Sequence, residues 1–104
     1  MALWTLRTAH DFCCSLHAFL IPLGYDVGLT GGILYHGVSD KDIDVIIYPL
    51  KLISADFGTM YQALPQFGLQ FIRLPNNNVG YADDGKHVEV WEFQDKRVDL
   101  FFLT

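Results

Sequence analysis

Residues 29–49 read LTGGILYHGVSDKDIDVIIYP, and the second half of that run decides the fold. Residues 43–48, IDVIIY, are nearly all β-branched or aromatic, the composition of a central strand covered on both faces. Pro49 closes the strand, since it has no N–H for a ladder. Side chains alternate along a strand, so Ile43, Val45 and Ile47 face a core. Asp42 and Asp44 then face the other way, separated by about 6.5 Å along the chain. Upstream, Gly31-Gly32 marks a tight bend. A carboxylate pair at a strand entry beside a glycine bend suits phosphoryl transfer. Carboxylates hold hard divalent cations, and glycines let the backbone approach a polyphosphate.

The C-terminal run 97–103, RVDLFFL, predicts a second apolar strand that carries Asp99. Val98, Leu100 and Phe102 share one face, and Asp99 shares the other with Phe101 and Leu103. A carboxylate among apolar neighbours is costly unless it is paired or binds metal. If this strand lies beside that of Asp42 and Asp44, the three carboxylates converge on one or two cations. An all-oxygen donor set favours Mg²⁺ or Mn²⁺ over zinc. Each feature also has a plainer reading. Gly31-Gly32 is then an ordinary hairpin turn, Asp42 and Asp44 a solvated strand entry, and Asp99 an edge-strand carboxylate paired with Arg97 or Lys96.

Outside these segments, Thr8 and Asp11 have the spacing of a capping box. Phe12, Leu16, Phe19, Leu20 and Leu23 follow at helical spacing, and Pro22 and Gly24 end that helix. A strand over 25–30 leads to the glycine bend. Ser54 is placed to cap a second helix with Phe57, Met60, Tyr61 and Leu64 on its inner stripe, limited by Pro65 and Gly68. Residues 70–74 read as a strand, and Asn76-Asn77-Asn78 and Asp83-Asp84-Gly85 as turns or loops. Residues 88–93 and 97–103 form a β-hairpin across Gln94-Asp95-Lys96, with Glu89 and Glu92 at or near the surface. The order helix, strand, strand, helix, strand, strand, strand predicts an α+β domain, a mixed β-sheet backed by two helices.

One domain over residues 1–104 accommodates this order, and with 51% hydrophobic residues the core needs no staples. No run of 18 apolar residues predicts a membrane-spanning helix, and the N-terminus lacks the pattern of a signal peptide. Cys13 and Cys14 are adjacent in a helical pattern, which predicts reduced thiols and a cytoplasmic setting. The net charge is −5, and among the basic residues only Lys96 and Arg97 adjoin. An extended nucleic-acid footprint is not expected on this domain alone. His36 is placed in a loop and His87 at the surface. His10 and His17 on the first helix lack the spacing of a zinc site. Trp4 is expected to pack the N-terminal segment and Trp91 the sheet.

Together, Gly31-Gly32, the D-x-D of Asp42 and Asp44 within SDKDIDVIIYP, and Asp99 in VDLFFL resemble the nucleotidyltransferase fold of the polymerase-beta superfamily. The resemblance covers roughly residues 8–104. It implies a nucleotidyltransferase-like core that transfers a nucleoside monophosphate from a nucleoside triphosphate, such as ATP, to an acceptor. Asp42, Asp44 and Asp99 would be the catalytic and metal-binding residues, with Mg²⁺ or Mn²⁺ as cofactor and Asp99 as a possible general base. Gly31, Gly32, Ser39 and Lys41 would contact the nucleotide. Ile33 departs from the family pattern, where many members carry Ser. No helical domain follows Asp99, which implies a minimal core working with a helical partner protein or as a homodimer. The alternative is a catalytically inactive domain of this fold that binds a partner protein.

Overall fold

In the computed structural model, which describes residues 3–39, 42–50, 56–74 and 86–103, the two apolar runs become neighbouring strands of one sheet. In chain order the elements are β1 (Trp4–Thr5), α1 (Leu6–Leu20), a 3₁₀ turn (Ile21–Leu23), β2 (Tyr25–Thr30) and the single-turn α2 (Ile33–His36). Then come β3 (Val38–Ser39), β4 (Asp42–Pro49), α3 (Phe57–Phe67), β5 (Leu69–Arg73), β6 (Lys86–Phe93) and β7 (Lys96–Leu103). The five-stranded sheet runs β2-β4-β7-β6-β5, with β4 and β7 parallel and the other pairs antiparallel. β1 and β3 form a separate antiparallel ribbon. The architecture is α+β with a mixed sheet. Among the described residues no helix is long and apolar enough to cross a membrane.

The core lies between the sheet and the two longer helices. Ile43, Val45 and Ile47 of β4 and Val98, Leu100 and Phe102 of β7 are buried together with Phe12, Leu16 and Leu20 of α1 and Met60 and Leu64 of α3. Each such side chain contributes roughly 1.5–3 kcal/mol on burial. A one-residue slip of either strand would turn this set outward, so the register is tightly held. Cys13 is also buried, and its thiol is pushed up to about 12, first by burial and then by Cys14. Both cysteines are free.

Several helix boundaries differ from the sequence expectation. The capping box is Thr5 with Thr8, not Thr8 with Asp11. The Thr5 hydroxyl accepts from the Thr8 N–H at 3.1 Å, and the Thr8 hydroxyl accepts from the Thr5 N–H at 2.9 Å. Thr5 is extended because it pairs with Val38 in the ribbon, so the helix starts directly after it. Ser54 lies outside the described residues, and Asp56 caps α3 by accepting from the Thr59 N–H at 3.2 Å. Pro65 does not end α3. So near the C-terminus it forfeits one helical bond, and the helix runs on until Gly68, at φ 110°. Ala63 is buried on α3, whereas Tyr61 is 45% exposed. The turns expected at residues 76–78 and 83–85 lie outside the described residues.

The largest correction concerns Glu89. It is 1% exposed, not a surface residue. Glu89 pairs across β6 and β7 with Leu100, a core position, and so faces the helices. Positions 89 and 92 differ by an odd number and cannot share a strand face. The carboxylate accepts from the Trp91 indole N–H at 2.9 Å and from the Tyr61 hydroxyl, and its Oε2 lies 2.8 Å from His87 Nε2. His87 accordingly packs inward against Phe57 rather than into solvent.

The hairpin between β6 and β7 closes through Gln94-Asp95, both at positive φ (51° and 64°), with Phe93 paired to Lys96. A two-residue loop with two positive φ values favours Asn-Gly. The double variant Gln94→Asn/Asp95→Gly is expected to raise stability by about 1 kcal/mol. Urea denaturation checks this as a higher midpoint at an unchanged slope.

Candidate functional site

The parallel pairing of β4 with β7 aligns Asp44 with Asp99 and Asp42 with Arg97. The core-facing residues of both strands fix this register, so all four side chains emerge on the face away from the helices. One carboxylate oxygen from each of Asp42, Asp44 and Asp99 lies within 4.8 Å of the other two. Asp99 is not on an edge, since β7 is the middle strand of five. The three residues offer only hard oxygen acceptors, a donor chemistry that suits Mg²⁺ or Mn²⁺ rather than a softer metal. The Asp44 carboxyl is pushed up to about 6, first by burial and then by the charges of Asp42 and Asp99, while Arg97 pulls it down.

The two glycines have different roles. Thr30 pairs with Asp44, so the bend after β2 begins beside the carboxylates. Gly31 sits at φ 85°, and a Cβ there would overlap the Asp44 Oδ2. Both the backbone conformation and the space require glycine. Gly32 is in the right-handed helical region at φ −64° and caps α2, with only His36 Cδ2 near a Cβ position, at 3.6 Å. Ile33 is buried in the core, which leaves the position after the glycine pair without a polar group. Gly37, at φ 77°, ends α2 and accepts from the Leu6 N–H at 2.7 Å, tying the bend to the start of α1.

A cavity of ≈ 190 Å³ lies beside Asp42 and Asp44, with Gly32, His36 and Ser39 in its wall. His36 therefore belongs to α2 rather than a loop. The Ser39 hydroxyl donates to the Asp42 carbonyl at 2.6 Å and accepts from the Asp42 N–H at 3.2 Å, clasping the entry to β4. Lys41 lies outside the described residues.

From the sequence, Arg97 is expected only as one of two partners for an edge-strand Asp99. On this central strand Arg97 Nε donates to Asp99 Oδ1 at 2.8 Å and Nη2 to Asp99 Oδ2 at 3.2 Å, a two-bond fork. Nε also lies 3.5 Å from Asp42 Oδ2. The hydrogen bond to Asp99 is the main cause that raises the guanidinium pKa. The spacing R-x-D within a strand was the available signal, because residues two apart share a face. Trp4, buried under the hairpin, donates its indole N–H to the Arg97 carbonyl at 2.9 Å, and Lys96 Nζ sits 4.4 Å from its ring centroid. Trp4 thus packs the N-terminal segment, and it also anchors the backbone of the site.

Compared with protein-family models, curated proteins and solved structures, the chain shows no significant match.

The glycine geometry predicts an asymmetry. Gly31→Ala is expected to cost about 2 kcal/mol or more, because an L-residue is strained at positive φ and its Cβ displaces Asp44. Gly32→Ala is expected to be within about 0.5 kcal/mol of wild type, as for a substitution free of strain. Chemical denaturation of the two variants checks the difference.

A second prediction follows from Asp44. A folded pKa of about 6 lies above the ordinary 3.8, so the folded state binds the proton more tightly than the unfolded state. Stability contributed by this group therefore falls as pH rises from the ordinary value through about 6, and the full cost applies above that. Metal-free Asp44→Asn is expected to exceed wild type at neutral pH by on the order of 1 kcal/mol, allowing for solvent screening. The advantage should shrink as pH falls through about 6 toward 4 in a series of urea titrations.

Proposed function

We propose that this domain is a metal-dependent nucleotidyltransferase core, nucleotidyltransferase-like in fold, acting on a nucleoside triphosphate such as ATP. The observation that carries the reading is the alignment of Asp44 with Asp99 across two parallel strands, with Asp42 in reach and Gly31 against Asp44. A D-x-D strand, a third carboxylate on the adjoining strand and a bare glycine bend are the three parts such chemistry needs.

In this reading Asp42, Asp44 and Asp99 hold Mg²⁺ or Mn²⁺. When bound, a divalent cation neutralises charge developing on the transferred phosphoryl group and on the attacking and leaving oxygens. The side chains supply the rest. Asp99 would take the proton of the acceptor hydroxyl. The acceptor oxygen then bonds to the α-phosphorus, and the bond from that phosphorus to the leaving pyrophosphate breaks. Gly31 and Gly32 let the triphosphate lie against the backbone, and Ser39 holds the Asp42 backbone in place. Lys41 adds a positive charge next to Asp42 in the chain. The base and the acceptor would lie against a helical partner protein or a second copy. The net charge of −5 points away from an extended nucleic acid.

Arg97 favours a second reading. Its fork already occupies both oxygens of Asp99, and Ile33 supplies no polar group after the glycines. A catalytically inactive domain of this architecture, binding a partner protein, would tolerate both features.

The test is incubation with nucleoside triphosphates radiolabelled at the α-phosphorus, with Mg²⁺ or Mn²⁺, following pyrophosphate release and transfer of label to water or an added hydroxyl compound. Transfer is expected to require the cation and to fall by about 100-fold or more in Asp44→Asn and Asp99→Asn. Cation-dependent triphosphate binding without transfer would favour the inactive domain. Absence of both binding and transfer would overturn the proposal.

A further inference from the structure

Resting on the metal reading above, we infer that Arg97 is the resident counter-cation of the carboxylate trio, and that a divalent cation enters by displacing it. Both Asp99 oxygens accept from the guanidinium, and Asp42 Oδ2 lies 3.5 Å from Nε. Arg97 therefore sits on the acceptor atoms that a cation would need. Its positive charge also compensates the three clustered carboxylates.

The surroundings allow the exchange with the backbone at rest. The Arg97 carbonyl is held by the Trp4 indole, and the residue lies in the β7 ladder between β4 and β6. Its side chain is 40% exposed, so rotation about its χ angles frees the guanidinium without disturbing the core. A second acceptor adjoins it. Glu92 on β6 is the direct cross-strand partner of Arg97 and shares its face, about one strand spacing of roughly 4.8 Å from β7. Among the described residues no ion pair holds Glu92. The geometry is that of a two-position arginine, on Asp99 and Asp42 without metal and on Glu92 with it.

Two opposed effects follow from removing the charge. Without Arg97 the metal-free trio repels itself more strongly, so thermal stability falls. A divalent cation then no longer competes with the guanidinium, so its affinity rises. A residue that merely supports the fold would lower both.

The experiment is isothermal titration of the full chain with Mn²⁺ alone, no nucleotide added, at neutral pH. Arg97→Gln is expected to bind Mn²⁺ about tenfold more tightly than wild type, from the removal of one unit charge in a half-exposed site, while melting at a lower temperature when metal-free. Glu92→Gln is expected to bind about two- to threefold more weakly, because the displaced guanidinium loses its acceptor. Arg97→Lys keeps the charge without the fork, and its affinity should fall between wild type and Arg97→Gln. It also serves if Arg97→Gln fails to fold. Wild-type binding that a folded Arg97 variant leaves unchanged or weakens overturns this inference and leaves the metal reading standing. No Mn²⁺ binding by wild type or any variant overturns both.

Discussion

The site depends on one constraint, the in-phase parallel pairing of β4 with β7. Each strand buries alternate residues, Ile43, Val45 and Ile47 on one and Val98, Leu100 and Phe102 on the other. With the apolar set fixed against α1 and α3, the intervening residues have no choice of face. Because Ile43 aligns with Val98, Asp44 must align with Asp99. The hydrophobic core thus contributes positioning as well as stability. Carboxylates that repel one another are held together by side chains on the opposite surface of the same sheet.

That arrangement carries an electrostatic cost, and two features moderate it. Asp44 takes up a proton more readily than an ordinary aspartate, since burial and the charges of Asp42 and Asp99 all oppose its ionisation. Arg97 supplies the compensating charge, in a fork whose geometry a lysine would not reproduce. The bend at Gly31 packs against Asp44 so closely that no side chain fits between them. Trp4 extends the constraint to the N-terminal segment, because its indole fixes the Arg97 carbonyl while β1 pairs with β3 beyond the bend. The N-terminal ribbon, the glycine bend and the hairpin therefore meet around one group of charges.

Strand parity is why much of this was legible in the sequence. The 25–30 strand, the apolar faces of 43–48 and 97–103, and the outward set of Asp42, Asp44 and Asp99 all follow from local alternation. The connection at Gln94-Asp95 is legible for the same reason, because short loops join adjacent antiparallel strands. Features that depend on distant residues were not legible. Thr5 caps α1 only because it is extended by pairing with Val38, and sequence spacing alone pointed to Thr8. The place of β7 at the centre of the sheet, which removes the edge reading of Asp99, is a matter of strand order. The polarity of Glu89 points to the surface, but its parity with Trp91, two residues on, turns both inward.

Glu89 also gives a contrast with the carboxylates of the opposite face. It lies on the helix-facing side of the sheet, almost fully buried, with the Trp91 indole, the Tyr61 hydroxyl and His87 gathered around its two oxygens. Donors there match acceptors, and a buried acid so surrounded has little capacity left for a ligand. On the opposite face three carboxylates meet, each an acceptor when ionised, and the Arg97 guanidinium forks onto one of them. Asp42 and Asp44 border a cavity rather than packed side chains alone. This clustering on one face, more than acidity as such, distinguishes Asp42, Asp44 and Asp99 from the more deeply buried acid two strands away from Asp44.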